Sequence, residues 1–243
     1  MPSAPLADGS YSMTAQTTDL AGNIGPASSA LNPVKIDTVK PVISPIVFDV
    51  NQTQMTLFVP FNEDVSASLG DGTLSIQNVD TSTTLPAANQ KFAWLLATTT
   101  AVYTFQNFPG TILPDGNWNA TMYSNNVSDL AGNKPLAGSM LDFFFFRADA
   151  NFDRAVNGLD FNAIATNFGA PGKHYVEGDY NFDGNVGTSD FNVLSAKFNT
   201  LLPLPAPPDP DPSEPISVLP PPPEASIFAD GEAIDGLADD VLV

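Results

Sequence analysis

The chain has 243 residues but no cysteine, and its only histidine is His174. Disulfides and metal sites built on thiolates are therefore excluded. A Ser–His–Asp triad, or a zinc ion bound by histidine, would have to depend on His174, which follows a Pro-Gly sequence and is more simply interpreted as an exposed loop residue. We therefore predict that this chain carries no catalytic constellation, although counting residues leaves a carboxylate pair of the glycosidase type open.

Basic residues are also scarce, with 8 lysines and arginines against 27 acidic residues and a formal net charge of −19. Binding to phosphates needs clustered basic side chains, so nucleic acid is disfavoured as a partner. An anionic membrane surface is disfavoured for the same reason. An acidic chain suits divalent cations wherever its carboxylates converge, and elsewhere the same acidity can serve solubility alone.

Long hydrophobic runs are absent from the sequence as well. The longest dense apolar block, Phe143–Phe146, has the length of a β-strand, whereas a membrane-spanning helix needs about 18 apolar residues or more. The N-terminal sequence MPSAPLADGSYS has neither the basic nor the apolar segment of a signal peptide. We therefore expect no membrane span, and either a cytosolic protein or the C-terminal part of a longer one.

The pentapeptide Asp-Leu-Ala-Gly-Asn occurs twice, at Asp19–Asn23 and at Asp129–Asn133. Each copy follows an Asp-Gly turn and an alternating, strand-like run, which begin at Asp8 and at Asp115. The second copy closes a full set of predicted strands, but the first has only two, and two strands cannot bury a core alone. We therefore predict that residues 1–36 are the end of a domain whose beginning is missing, which favours a longer protein.

Short runs of β-forming residues, separated by polar or Gly/Pro turns, predict six or seven strands between residues 37 and 146. The runs are Ile43–Phe48, Met55–Phe61, Thr73–Val79, Ala101–Phe108, Trp118–Tyr123 and Met140–Arg147. Such a pattern is typical of a β-sandwich. The predicted fold class is therefore mainly β, with a small α-helical module after the sandwich.

The stretch Pro41–Phe146 resembles the bacterial Ig-like domains of the SbsA type. The resemblance depends on Phe61–Val65, Leu113–Trp118 and Asp129–Asn133. Residues 5–36 resemble the end of a related bacterial Ig-like repeat. These resemblances imply a spacer or surface-display role.

Two 12-residue segments, Asp149–Asp160 and Asp179–Asp190, carry oxygen-bearing side chains at positions 1, 3, 5 and 12. This is the spacing of a calcium loop, in which alternate side chains turn toward one point and a backbone carbonyl at position 7 adds a ligand. The predicted ligands of two calcium ions are Asp149, Asn151, Asp153, Ala155, Asn157 and Asp160 in the first loop, and Asp179, Asn181, Asp183, Asn185 and Asp190 in the second. At position 9 of the second loop, Gly187 can contribute only its backbone or a bound water.

Position 6 of such a loop turns sharply and usually holds glycine. The second loop has Gly184 there, but the first has Arg154. A side chain in that backbone conformation costs about 1 kcal/mol, so we predict that the first site is the weaker one. The missing ligand side chain at Gly187 argues in the opposite direction.

Each loop runs into the same apolar pattern at helical spacing. The repeated positions are Phe161, Ile164, Ala165 and Phe168 in the first copy, and Phe191, Leu194, Ser195 and Phe198 in the second. Helices this short are marginal alone, so we expect them to pack against each other. The apolar position 8 of each loop, Val156 and Val186, is expected to pair the two loops through a short β-bridge.

No helix is predicted before either loop, so each unit is a loop–helix half of an EF-hand. Residues 147–199 resemble a type I dockerin in this respect and in the aspartate at position 12. The resemblance implies that the partner is a cohesin module. It also implies recognition through loop positions 10 and 11, which are Gly158, Leu159, Thr188 and Ser189. The expected role is calcium-dependent docking in polysaccharide degradation or cell-surface assembly, in an extracellular or cell-surface location.

The C-terminal segment differs in composition, because 11 of the 23 prolines follow Leu202 and the chain from Thr200 onward has nine acidic and no basic residues. It predicts a proline-rich linker and an acidic disordered tail, with a sorting signal as the alternative. The predicted segments are thus 1–36, 37–146, 147–199 and 200–243. Two other functions stay open: the docking end of a glycoside hydrolase whose catalytic domain lies upstream, and a purely structural surface protein.

Overall fold

The computed structural model describes residues 5–206. This part of the chain is mainly β with two α-helices, which confirms the predicted class at that level. The tail predicted to be disordered lies, from residue 207 onward, outside the described residues. Within the described range, no helix has the length and apolar character needed to cross a membrane.

The elements follow one another in a simple order along the chain. The first ten strands are β1 Gly9–Met13, β2 Leu31–Ile36, β3 Val47–Asp49, β4 Thr56–Pro60, β5 Ser75–Asn78, β6 Thr83–Thr84, β7 Gln90–Leu95, β8 Thr100–Phe105, β9 Gly116–Met122 and β10 Ser139–Phe145. They are followed by β11 Ala155–Val156, α1 Gly158–Asn167, α2 Thr188–Lys197 and β12 Thr200–Leu201.

Strands β3 to β10 form two four-stranded antiparallel sheets, in the orders β3-β4-β8-β7 and β10-β9-β5-β6. Leu57 of the first sheet and Ile76 of the second are fully buried, and both belong to one core that the two sheets share. At one side of this core the rings of Phe48 in β3 and Phe143 in β10 lie 4.4 Å apart. Residues 46–145 therefore form a two-layer β-sandwich.

The N-terminal hairpin of β1 and β2 repeats the end of this sandwich in hydrogen-bonding detail. In the first pentapeptide, Asn23 N and Nδ2 donate to Asp19 Oδ1 and Oδ2 at 2.8 and 2.7 Å. In the second, Asn133 N and Nδ2 donate to Asp129 Oδ1 and Oδ2, both at 2.8 Å. The glycine of each copy has a φ of 90°, a conformation that favours glycine. The internal repeat is therefore structural as well as sequential.

The two helices and the two loops form a smaller module around its own aromatic residues. Tyr175 and Tyr180 are completely buried, with ring centroids 5.4 Å apart. The segment that follows α2 contains β12, which pairs with β11 of the first loop. Thr200 and Leu201, which the sequence assigns to the linker, are thus part of the hydrogen-bonded structure.

Candidate metal centre

The oxygen-bearing side chains of the first loop accept hydrogen bonds from the loop's own backbone. Asp149 Oδ1 and Asn151 Oδ1 both accept from the backbone N–H of Asp153, at 3.2 and 3.1 Å. The second oxygen of Asp149 accepts from Arg154 N at 2.9 Å, and Asp153 Oδ1 accepts from Ala155 N at 2.8 Å. Positions 1, 3 and 5 are thereby linked through the loop backbone, but among residues 5–206 the three carboxylates of either loop do not place oxygens all within 4.8 Å of one another.

The carboxylate at position 12 closes the first loop from the start of helix α1. Asp160 is fully buried, and its two oxygens accept from Ala150 N and Asn157 N, each at 2.8 Å. Asn157 is the N-cap residue of α1, and its side-chain oxygen accepts from Leu159 N at 2.8 Å. The side chain at position 9 therefore serves the helix end in this structure.

The second loop repeats these contacts almost atom for atom. Asp183 N donates to Asp179 Oδ1 at 3.1 Å and to Asn181 Oδ1 at 2.9 Å. Asp190 accepts from Tyr180 N at 2.8 Å and from Gly187 N at 2.9 Å. Two independent segments thus adopt one loop geometry, which is strong evidence that the repeated residues specify it locally.

The carbonyl at position 7 of each loop is directed away from the neighbouring strand. In the first loop, the carbonyls of Arg154 and Val156 accept from Leu202 N and Asn199 N, both at 2.8 Å. Since carbonyls alternate along an extended pair, that of Ala155 points to the opposite side, where the loop lies. The same holds for Asn185, because the carbonyls of residues 184 and 186 are hydrogen-bonded to the segment after α1.

The buried carboxylates carry an electrostatic cost. Burial, reinforced by the Asp160 and Asp153 carboxylates, raises the pKa of Asp149 to about 6, against the lowering effect of its two backbone donors. Burial likewise raises the pKa of Asp179. Among residues 5–206, none of the ion pairs involves a loop carboxylate. The negative charge of both loops is therefore left without a cationic side chain.

The oxygens of the two loops are of the chemical type that calcium binds. The ion takes six to eight hard oxygen ligands, including carboxylates, amide oxygens and backbone carbonyls, and the two loops present these groups alone. Bound calcium would supply the positive charge that the buried Asp149 and Asp179 lack. The chain's own contribution would be to hold the oxygens in place through the backbone N–H groups of each loop.

Position 6 adopts the left-handed conformation in both loops, with φ 69° at Arg154 and 81° at Gly184. The expectation that the loop turns sharply here is met by the arginine as well as by the glycine. The Arg154 guanidinium group is directed to the β-sandwich, where Nη1 donates to Asn117 Oδ1 at 2.8 Å. Sequence reasoning treated this residue only as a defect and missed its contact.

The expected β-bridge between Val156 and Val186 is wrong. Val156 instead pairs with Thr200 in β12, and Val186 exchanges hydrogen bonds with Gly169 and Ala170, at 2.8 and 3.2 Å. The left-handed residues Gly169 and Asn199, with φ 78° and 61°, turn the chain back after each helix. The first loop is therefore hydrogen-bonded to the segment that follows α2, and the second loop to the segment that follows α1.

The helical stripes are only partly buried. Ile164 and Leu194 are in the core, but Phe161, Phe168, Phe191 and Phe198 are between 40 and 59 % exposed, and Ala165 and Ser195 are exposed. The helices do meet, through the Phe161 and Phe191 rings at 6.4 Å. The buried tyrosines fill the space that the stripes were expected to fill.

The predicted recognition residues all lie at the surface. Gly158, Leu159, Thr188 and Ser189 occupy the first turns of the two helices and are exposed. Leu159 is 60 % exposed. The structure thus leaves these positions accessible, together with the exposed rings of Phe161 and Phe191, which follow Leu159 and Ser189 by two residues.

A second acidic group lies between the N-terminal hairpin and the sandwich. Asp37, Glu63 and Asp129 each offer an oxygen within 4.8 Å of the others. Burial, followed by the Asp129 and Asp37 charges, raises the pKa of Glu63, while Lys35 forms an ion pair with Asp37 at 2.7 Å. The sequence pattern does not predict this group, because its members are far apart along the chain.

No protein-family model, curated protein or solved structure matches the chain.

Proposed function

We propose that this chain is a non-catalytic, calcium-dependent docking module attached to an Ig-like spacer. The observation that carries the proposal is the repeated loop geometry, in which Asp149 and Asp179 are buried and have no cationic partner among residues 5–206. An all-oxygen donor set of this kind is poorly explained by the fold of the module alone, since buried carboxylates without a counter-charge destabilise it. Two bound calcium ions would remove that cost.

The docking role rests on the surface of the two helices. Exposed phenylalanines flank the positions through which type I dockerins recognise their partner, and an exposed apolar group of this kind is suited to a protein interface. We propose a cohesin-like module as the partner, in an extracellular or cell-surface setting. The resemblance to type I dockerins supports this choice of partner.

The calcium proposal is tested by titration calorimetry and thermal melting of the full chain, with and without chelator. We expect two binding events and a transition of the module that chelation lowers or abolishes, because an ion that binds only the folded state stabilises it. The double variant Asp153→Ala/Asp183→Ala should show neither effect. A melting transition that is unchanged by chelation would remove the calcium claim.

The docking proposal needs a separate measurement. A recombinant type I cohesin should bind the immobilised chain in calcium and dissociate when chelator is added. The Leu159→Asp/Ser189→Asp variant, which changes only exposed positions, should weaken this binding while keeping calcium affinity.

A purely structural role is the second candidate, favoured by the firm junction between module and sandwich. Tyr175 Oη donates to the carbonyl of Phe146 at 2.7 Å in a buried position, and Lys197 forms an ion pair with Asp115. In that case calcium would stiffen the junction without a docking partner. Calcium binding with no cohesin binding would favour this role.

A further inference from the structure

Arg154 connects the first loop to two other parts of the molecule. Its Nη1 atom donates to Asn117 Oδ1 at 2.8 Å and to the carbonyl of Pro203 at 3.1 Å. Its guanidinium carbon lies 4.1 Å from the centroid of the Phe144 ring, a cation–π contact. One side chain therefore contacts strands β9 and β10 of the sandwich and the segment after β12.

The backbone of the same residue belongs to the candidate calcium site. Arg154 N donates to Asp149 Oδ2 at 2.9 Å, and its carbonyl accepts from Leu202 N at 2.8 Å. Its φ of 69° is the conformation that position 6 requires. Any change in the loop backbone at this point must therefore move the guanidinium group relative to the sandwich.

The second loop shows what the loop geometry alone requires at position 6. Gly184 N donates to Asp179 Oδ2 at 2.8 Å, and a Cβ atom at this residue would meet nothing within 4 Å. The backbone contacts are thus the same without a side chain. Glycine also adopts this conformation without strain, so the arginine is explained by its contacts outside the loop.

Other contacts between the module and the sandwich do not involve the oxygens of the loops. Tyr175, in the segment between the loops, donates a hydrogen bond to the Phe146 carbonyl, and Lys197, at the end of α2, forms an ion pair with Asp115. Phe152, in the first loop, adds a ring contact with Phe144 at 5.8 Å. Within the described part of the chain, only Arg154 combines a hydrogen bond to the buried Asp149 with a hydrogen bond to the sandwich.

Building on the proposed calcium binding, we propose that Arg154 is a positioning residue that couples occupancy of the first loop to the stability of the β-sandwich. Calcium would hold the loop backbone in the left-handed turn, and this would keep the guanidinium group on Asn117 and Phe144. A ligand stabilises the conformation that it prefers. Calcium in the first loop therefore stabilises strands that supply none of its ligands.

The two tryptophans make the coupling measurable, because Trp94 and Trp118 are the only ones in the chain and both lie in the sandwich. Thermal unfolding followed by tryptophan fluorescence should shift to higher temperature in calcium. In Arg154→Gly, which keeps the left-handed turn, calorimetry should still find two calcium ions, but the calcium-induced fluorescence shift should fall to less than half. Asn117→Ala, which leaves the loop intact, should lose the shift to the same degree.

Matched loop variants serve as controls. Asp153→Ala, in the first loop, should abolish the fluorescence shift, whereas Asp183→Ala, at the same position of the second loop, should preserve most of it. If Arg154→Gly and Asn117→Ala both keep the full shift while calcium binds, the coupling is wrong and the calcium proposal stands. If the wild-type chain binds no calcium, the proposed function itself fails.

Discussion

Asp149 and Asp179 stand in equivalent places, each accepting from the backbone N–H groups four and five residues further along the chain. Both are buried, and burial raises the pKa of both. At position 6, the backbone N–H that Asp149 accepts from belongs to Arg154, and the one that Asp179 accepts from belongs to Gly184. The two loops therefore share their geometry but differ in what position 6 demands, and this difference leads to the first prediction.

The two calcium sites should have unequal affinities. The first loop must hold Arg154 in the left-handed region at a cost of about 1 kcal/mol, a cost that Gly184 avoids, so the first site should be the weaker. In titration calorimetry, Asp153→Ala should remove the weaker of two binding events and Asp183→Ala the tighter one. If Asp183→Ala loses the weaker event, the ranking is wrong, and the extra oxygen of Asn157 outweighs the strain.

The stability of the calcium-free protein should depend on pH through Asp149. Because burial raises its pKa to about 6, the folded state binds the proton more tightly than the unfolded state, whose pKa is near 4. Stability should therefore fall as the pH rises from about 4 to about 6 and should then level off. The measurement is the denaturation midpoint of protein freed of calcium.

Saturating calcium should reverse this slope, because the ion binds the deprotonated carboxylate and competes with the proton. The Asp149→Asn variant removes this titrating group and should reduce the slope of the calcium-free protein, while Asp179 and Glu63, whose pKa values burial also raises, account for the remainder. A slope that survives this substitution in full would assign the effect to another group.

Gly184→Ala should destabilise the module by about 1 kcal/mol, since alanine pays the left-handed cost at φ 81°. A clash plays no part, because the space around this residue is open. Gly158→Ala is the matched control: this residue begins α1, its φ is outside the left-handed region and its surroundings are equally open, and alanine in a helix should cause no loss of stability. Equal losses in chemical denaturation would contradict the conformational argument.

Tyr175→Phe should lower the stability of the junction by about 1–3 kcal/mol, because it leaves the buried carbonyl of Phe146 without its hydrogen bond. The exposed Tyr123, on the surface of the sandwich, provides the control. Tyr123→Phe should leave the denaturation midpoint unchanged, and a similar loss in both variants would point to a cause other than the hydrogen bond.

Much of the fold follows from local patterns, and the failures have physical causes. The Asp-Gly and Ala-Gly-Asn turns marked the repeated hairpin, and the six predicted strands correspond to β3, β4, β5, β8, β9 and β10. Strand β7 was missed even though Phe92 and Trp94 alternate with exposed residues, because the segment carries a lysine and has no turn motif at its ends. Strand β6 has only two residues, too few for any periodicity.

The candidate site likewise has features that follow from local sequence and features that do not. The hydrogen bonds that positions 1, 3, 5 and 12 accept from the backbone are local to each loop, so a pattern of spacing can encode them, whereas convergence of these side chains on a calcium ion stays a prediction. The contact of Arg154 with Asn117 joins residues 37 positions apart, and the acidic group of Asp37, Glu63 and Asp129 joins three separate segments. No local pattern encodes such pairs, since the packing of sandwich and module brings them together.

The pairing of β11 with β12 has a mechanical consequence. The chain enters the module just before Asp149 and leaves it at Leu202, which is hydrogen-bonded to Arg154, and Pro203 is bonded to Asn117 of the sandwich. A pulling force applied between the sandwich and the C-terminal segment would therefore load these few bonds first. The two helices and the second loop would carry no tension until these hydrogen bonds had broken.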